Sequence, residues 1–198
     1  MSVLRRAAAI RLVTAGLTAW PGSAGATVVL ALDFDRMAAE ADRAVVGTVV
    51  SVHARWSADG ERIETVVDLE IEQDMSGVSG PPVLRIVQPG GTIGDVGLVV
   101  FGLPAFHEGE RALLFLRAGG VDGFGEAHHS VFGMAQGKFA ILPRLGGGWD
   151  AVQQFPDGLA PAAEDAGGTI RVVHAHPIAM DLALALDRIR RIRREVMP

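Results

Sequence analysis

The spacing of apolar positions changes along this chain, and each change marks an element. Asp33 is placed to cap a short helix that puts Phe34, Met37, Ala38 and Ala41 on one face. From Val46 the period drops to two. Thr48, Val50, Val52, Ala54 and Trp56 alternate with Gly47, Val49, Ser51, His53 and Arg55, which predicts a strand with one face buried. Asp59-Gly60 supplies a turn, and a second strand follows it. Ile63, Thr65, Val67, Leu69 and Ile71 point one way in that strand. Glu64, Asp68, Glu70 and Glu72 point the other, with Val66 as the exception. The two strands form a long hairpin with an acidic outer face.

Gly77 to Pro82 reads as a loop, and Val83 to Gln88 as a third strand closed by Pro89-Gly90-Gly91. Leu98 to Phe101 is a short apolar run. Ala112 to Leu116 is continuously apolar, as expected of a strand buried on both faces. Val131 to Leu142 holds the last strand pair or one bulged strand, with irregularities at Gly133 and Gly137. Pro143 to Gly168, rich in Gly, Pro and Ala, predicts a loop, and Ile170 to Val173 a brief edge strand. Pro177 then opens a helix at its first position, with a stripe of Ile178, Leu182, Ala185, Ile189, Ile192 and Val196.

The fold class expected from this pattern is mainly β. It is a small Greek-key barrel resembling the OB-fold, with a short N-terminal helix and a C-terminal amphipathic helix. A β-sandwich is the alternative, because periodicity alone does not fix topology.

The first 26 residues stand apart. Arg5 and Arg6 precede a short apolar run from Leu12 to Trp20, Pro21-Gly22 breaks it, and Ala24-Gly25-Ala26 offers small side chains for cleavage. The run is too short for a spanning helix, which needs about 20 apolar residues. Residues 1–26 therefore read as a secretory signal, and the mature chain begins at Thr27 in the periplasm or outside the cell. The expected divisions are a barrel domain over 27–142, a Gly/Pro-rich loop region over 143–176, and a basic helix over 177–198.

Composition narrows the chemistry. With no cysteine in the chain, thiol catalysis, disulfides and zinc ribbons are excluded. Lys138 is the only lysine; the other basic residues are all arginine. Beyond residue 26, 15 basic residues face 23 acids. Residues 188–198 hold five arginines and one acid, so the stretch 27–187 carries a net charge of −12. Such a body repels nucleic acid.

The run Glu40-Ala41-Asp42-Arg43-Ala44-Val45-Val46-Gly47-Thr48-Val49 resembles the first strand of the inhibitory domain of tissue inhibitors of metalloproteinases, an OB-fold shared with the netrin module. Thr65 to Gly77 resembles its second strand. Leu84-Arg85-Ile86-Val87 and Glu110-Arg111-Ala112-Leu113-Leu114-Phe115-Leu116 fall where later barrel strands belong. The resemblance covers roughly residues 33–142 and implies an OB-fold and an inhibitory role. The chain also resembles secreted bacterial proteins of unknown function that share an Ala-Asp-x-x-Val-x-Gly opening. One departure bears directly on inhibition. Those inhibitors bind the catalytic zinc through an N-terminal cysteine, whereas the mature chain here begins with Thr27, whose α-amine is the only corresponding donor.

Candidate chemistry elsewhere is sparse. His174 and His176 would share a strand face, while the adjacent His128 and His129 would point apart, and neither pair has the helical spacing of a zinc protease. Glu108 and Glu110 flank Gly109 in a turn, and Ser130 beside His129 lacks a nucleophile-elbow pattern. The glycine-rich stretches 90–97 and 119–125 lack the Walker lysine, and no cofactor is implied. Arg188, Arg190, Arg191, Arg193 and Arg194 crowd the last turns of the C-terminal helix, where positive charge suits the helix dipole. Their expected role is to extend over the barrel edge, with docking to an acidic partner or an anionic membrane surface as the alternative.

The functional expectation is an exported, non-enzymatic binding module with an unknown protein partner. Thr27, Arg190, Arg191 and Arg194 are its candidate contact residues. A protease-inhibitor-like protein acting on a secreted protease is the second reading, and a metal-dependent hydrolase the third.

Overall fold

A computed structural model describes residues 27–77, 80–156, 159–164, 168–173 and 176–196. The expected export signal, residues 1–26, lies outside the described residues.

The chain is mainly β, with two helices. In order it forms β1 (Thr27–Leu30), α1 (Phe34–Glu40), β2 (Arg43–Trp56), β3 (Ile63–Asp74), β4 (Val83–Pro89), β5 (Gly91–Ile93), β6 (Val96–Leu98), β7 (Arg111–Val121) and β8 (Ala127–Val131). A 3₁₀ turn at Met134–Gly137 leads to β9 (Lys138–Pro143), β10 (Trp149–Gln153), β11 (Leu159–Glu164), β12 (Ile170–Val172), β13 (Ala179–Asp181) and α2 (Leu182–Val196).

Eight strands make the main sheet in the order β13-β10-β9-β7-β2-β3-β4-β8, and β8 also pairs with β7. Its one parallel contact is β4 with β8, at Ile86 and His129. The pairings β2–β3, β3–β4, β4–β8 and β8–β7 therefore lead back to β7–β2. A separate three-stranded sheet has the order β1-β11-β12, with β1 parallel to β11.

Local chemistry explains the first elements. Asp33 caps α1 by accepting a hydrogen bond from the Arg36 amide at 2.7 Å, and Phe34, Met37 and Ala38 are buried. The long hairpin β2–β3 turns through residues 57–62, where Gly60 takes a φ of +72°. Two irregularities interrupt its register, at Val46/Gly47 and at Val49/Ser51. The second leaves Val50 without a partner on β3 and 46% exposed, so the simple alternation expected across β2 shifts there. Val66, the exception in the acidic row of β3, is fully buried.

The core has two parts, and β7 separates them. Leu113 and Phe115 face one side with Phe34, Met37, Val46, Phe139, Leu182, Leu186 and Ile189. Ala112, Leu114 and Leu116 face the other with Val45, Val49, Val67, Leu69, Leu84, Ile86 and Phe106. This is the two-sided burial that the apolar run of β7 predicts. On the helix side, Phe34, Phe115 and Phe139 meet edge to face with ring centroids 5.5–5.9 Å apart.

The C-terminal third differs from expectation. The segment 143–176 is not a loop region throughout, because it contains β10 and β11, while β12 is the brief edge strand expected at 170–173. Inward positions of β10 are filled by Ala151 and Gln153, a small and a polar residue that leave no apolar period to read. The helix starts at Leu182 rather than Pro177. Residues 179–181 form β13, Ile178 exchanges hydrogen bonds with Gln153, and Asp181 accepts from the Leu184 amide at 3.0 Å. A carboxylate able to satisfy a first-turn amide sets the start, in preference to the proline.

Candidate functional site

The sequence-predicted arginines sit on α2, whose position is set by burial. Leu182, Ala185, Leu186 and Ile189 pack into the helix-side core, and the basic last turns then lie beside the end of β3. A groove of about 300 Å³ results, lined by Asp74, Met75, Ser76 and Gly77 on one side and by Arg190, Arg193 and Arg194 on the other.

Each charge in the groove has a distinct setting. Arg193 is only 5% exposed and donates to the Ala41 carbonyl at 2.5 Å. Burial lowers its pKa from the ordinary arginine value, against the opposing pull of Asp74 and Asp42. Arg190 donates to Asp187 at 3.0 Å and to Gln73 at 3.1 Å. Arg194 is exposed and has no ion pair among the described residues. Asp74 is engaged by Arg43 and by the Ser76 amide. Burial raises the Asp74 pKa, but hydrogen bonds from Ser76 and Arg43 outweigh it, and the carboxyl ends below its ordinary value. Three guanidinium groups thus face one carboxylate that already has partners.

The structure divides the predicted contact residues. Arg190 and Arg194, four apart, share a face of α2. Arg191 is turned by about 100° and lies in another hollow with Asp35, Leu184, Arg188 and Ile192. There Arg188 pairs with Asp35 at 2.6 Å. Thr27 belongs elsewhere again. It opens β1 opposite Leu159 of β11, in the three-stranded sheet. The chain just after it is fastened by Gln136, which accepts from the Leu32 amide at 2.9 Å and donates to the Leu30 carbonyl at 3.0 Å.

Lys138 escaped the sequence reading, although being the only lysine was a signal. Its ammonium is 2.6 Å from Glu110 Oε1, donates to the Ala105 carbonyl at 2.5 Å, and lies 4.8 Å from the Phe106 ring centroid. A hollow of about 220 Å³ lies beside it, lined partly by Pro104, Phe155 and Pro156. A compact ammonium suits this slot, and the contacts fasten residues 105–110 over the second core, which Phe106 enters.

The other candidate chemistry is held apart. Glu110 serves Lys138, while Glu108 accepts from the Val52 amide. Ser130 and His129 are neighbours on β8, so their side chains leave opposite faces of that strand. The His129 imidazole is pushed below its usual pKa, chiefly by burial. His174 lies outside the described residues, so its pairing with His176 does too. Among the described residues no three His, Asp or Glu side chains are grouped to hold a metal ion. No helix among them is long and apolar enough to cross a membrane.

The acidic outer face of β3 is largely neutralised from within. Arg55 reaches Glu64, Asp122 and Glu126 at 3.7, 2.5 and 3.0 Å. Arg85 pairs with Asp68 at 2.9 Å and also with Glu126, while Arg111 pairs with Glu72 at 2.6 Å. Hydrogen bonds from these arginines lower the carboxyl pKa values of Asp68, Glu72 and Glu126.

The chain matches no protein-family model, no curated protein and no solved structure.

Proposed function

We propose that this protein is an exported, non-enzymatic binding module on a closed five-stranded barrel of OB type. The observation that carries the reading is the circuit of pairings. Numbered along the chain, β2, β3, β4, β7 and β8 are the first to fifth barrel strands. Their neighbours run first-second-third-fifth-fourth and back to first, with third and fifth parallel. The second core then fills the interior as side chains fill a small barrel, so recognition belongs on the outer surface. Of the groups weighed for catalysis, Glu110 is committed to Lys138 and Glu108 to the Val52 amide, which also favours a binding role.

The experiment is cross-linking and pull-down of the protein from its native compartment, with the mature N-terminus mapped. The reading predicts a start at Thr27 and a specific protein partner. A hydrolytic activity abolished by one point substitution would overturn it.

A second reading, a protease-inhibitor-like protein, draws support from β1. A chain cut after Ala26 would present its new end at the start of a strand paired with β11. Titration against secreted metalloproteases decides this, and unchanged rates under an excess of the protein would end it.

A further inference from the structure

We infer that the groove between α2 and the turn at residues 74–77 receives an extended acidic segment of a protein partner, with its carboxylates on Arg190 and Arg194. This rests on the binding-module reading and adds the chemistry of the partner.

Charge comes first. The groove carries Arg190, Arg193 and Arg194 against Asp74, the one carboxylate among the described residues lining it. Arg43 and the Ser76 amide already occupy that carboxylate. Arg190 is also paired with Asp187 at 3.0 Å, which leaves the Arg194 guanidinium as the surplus positive charge among the described residues, on a body that is otherwise acidic. Guanidinium groups bind carboxylates through paired, charge-assisted hydrogen bonds.

Spacing then selects the shape of the occupant. Four residues along a helix advance about 6 Å, the separation of Arg190 and Arg194 along the axis. Alternate side chains of an extended peptide recur at about 6.6 Å. Carboxylates at every second position of a strand-like segment therefore meet both arginines at once. A volume of about 300 Å³ suits part of a chain laid in a groove, at the lower limit for a whole small-molecule ligand.

An anionic membrane fits less well. Surface helices bind bilayers through a free apolar face, whereas Leu182, Ala185, Leu186 and Ile189 of α2 are spent in the core. The net charge of −12 over residues 27–187 would also be repelled by a continuous anionic surface.

The test uses the purified full-length mature protein and a fluorescent peptide of alternating Glu and Ser, followed by anisotropy at low salt. A peptide of equal charge with its glutamates in one block is the comparison. The expected result is tighter binding of the alternating peptide, lost by about tenfold or more in Arg190→Gln/Arg194→Gln and kept in Arg62→Gln. Circular dichroism of each variant confirms the fold, and Arg194→Gln alone, at an exposed position, serves if the double variant unfolds. Equal binding of both peptides, equal loss in Arg62→Gln, or no binding overturns the inference. Equal or tighter binding to phosphatidylglycerol vesicles overturns it in favour of a membrane. Inorganic phosphate displacing the peptide at equal charge concentration overturns it in favour of a simple anion site. If native pull-down yields a partner that the double variant still binds, the groove is wrong and the binding module stands. If it yields none, the module reading itself fails.

Discussion

Gln153 donates from its side-chain amide to the backbone carbonyl of Gln136 at 2.6 Å, and both side chains are almost wholly buried. Through this bond four parts of the chain meet. Gln136 holds Leu30 and Leu32 behind β1, and Gln153 holds Ile178 ahead of β13 and α2. Buried amides that are fully bonded fix one arrangement, and removing one strands its partners away from water.

Replacing Gln136 by Ala therefore releases the amide of Leu32 and the carbonyl of Leu30. A loss of about 2 kcal/mol is expected in denaturant unfolding, since stranded buried groups cost about 1–3 kcal/mol each. Hydrogen exchange at residues 27–32 should rise while β7 stays protected. Uniform exchange in both segments would show that Gln136 does not anchor the N-terminal strand.

Lys138 and Glu110 form a largely buried pair, so their energetics should be asymmetric. Lys138→Met leaves Glu110 without its cation and should cost about 3–5 kcal/mol, as breaking such pairs does. Lys138→Met with Glu110→Leu should recover much of that loss. If the double variant is as unstable as the sum of the singles, the two residues are not coupled.

Glycine is required at 47 because of the strand next to it. A Cβ there would stand 2.4 Å from the Glu70 carbonyl oxygen and 2.9 Å from Leu69 Cγ. The backbone contact cannot yield cheaply beside a register irregularity, so Gly47→Ala should destabilise by about 1–3 kcal/mol, the range for overpacking. A thermal midpoint equal to that of the unaltered protein would contradict this packing.

Stability should fall on acidification. Hydrogen bonds from Arg85 and Arg111 lower the folded pKa values of Asp68 and Glu72. Their stabilisation is complete above the unfolded values of about 3.9 and 4.3, and is lost as pH falls through the lower folded values. His129, lowered by burial, acts at higher pH, its contribution fading as pH drops below about 6.5. Thermal midpoints between pH 7 and 3 should therefore decline in two stages. His129→Gln should remove the upper stage, and Arg85→Gln should flatten the lower one. An unchanged upper stage in His129→Gln would assign it to another group.

The legible parts of the fold were those where burial follows a period. The two faces of β3, the all-apolar β7 and the stripe of α2 each state their surroundings in residue type. Val50 was misplaced because a bulge changes which face a side chain takes without changing composition. β10 and β11 were missed because Ala151, Gln153 and Ala162 occupy inward positions that are small or polar. Pro177 misled because a proline tolerated at a helix start is equally at home in an extended lead-in, and Asp181 provides the cap. At the site, the arginines of α2 were visible as a charge run. Their division between two hollows depends on helix phase, and Asp74 to Gly77 come from a strand end more than a hundred residues earlier.

The central claim, that the module binds a protein partner through the α2 groove, is tested most directly by photo-cross-linking in the native compartment. A photoreactive residue replaces Gln73, which is exposed beside Arg190 at the groove, or the fully exposed Leu145 between β9 and β10. The account predicts one discrete protein adduct from position 73, absent from position 145 and lost when Arg190 and Arg194 are neutralised. The same adducts from both positions, or none from 73, would contradict it.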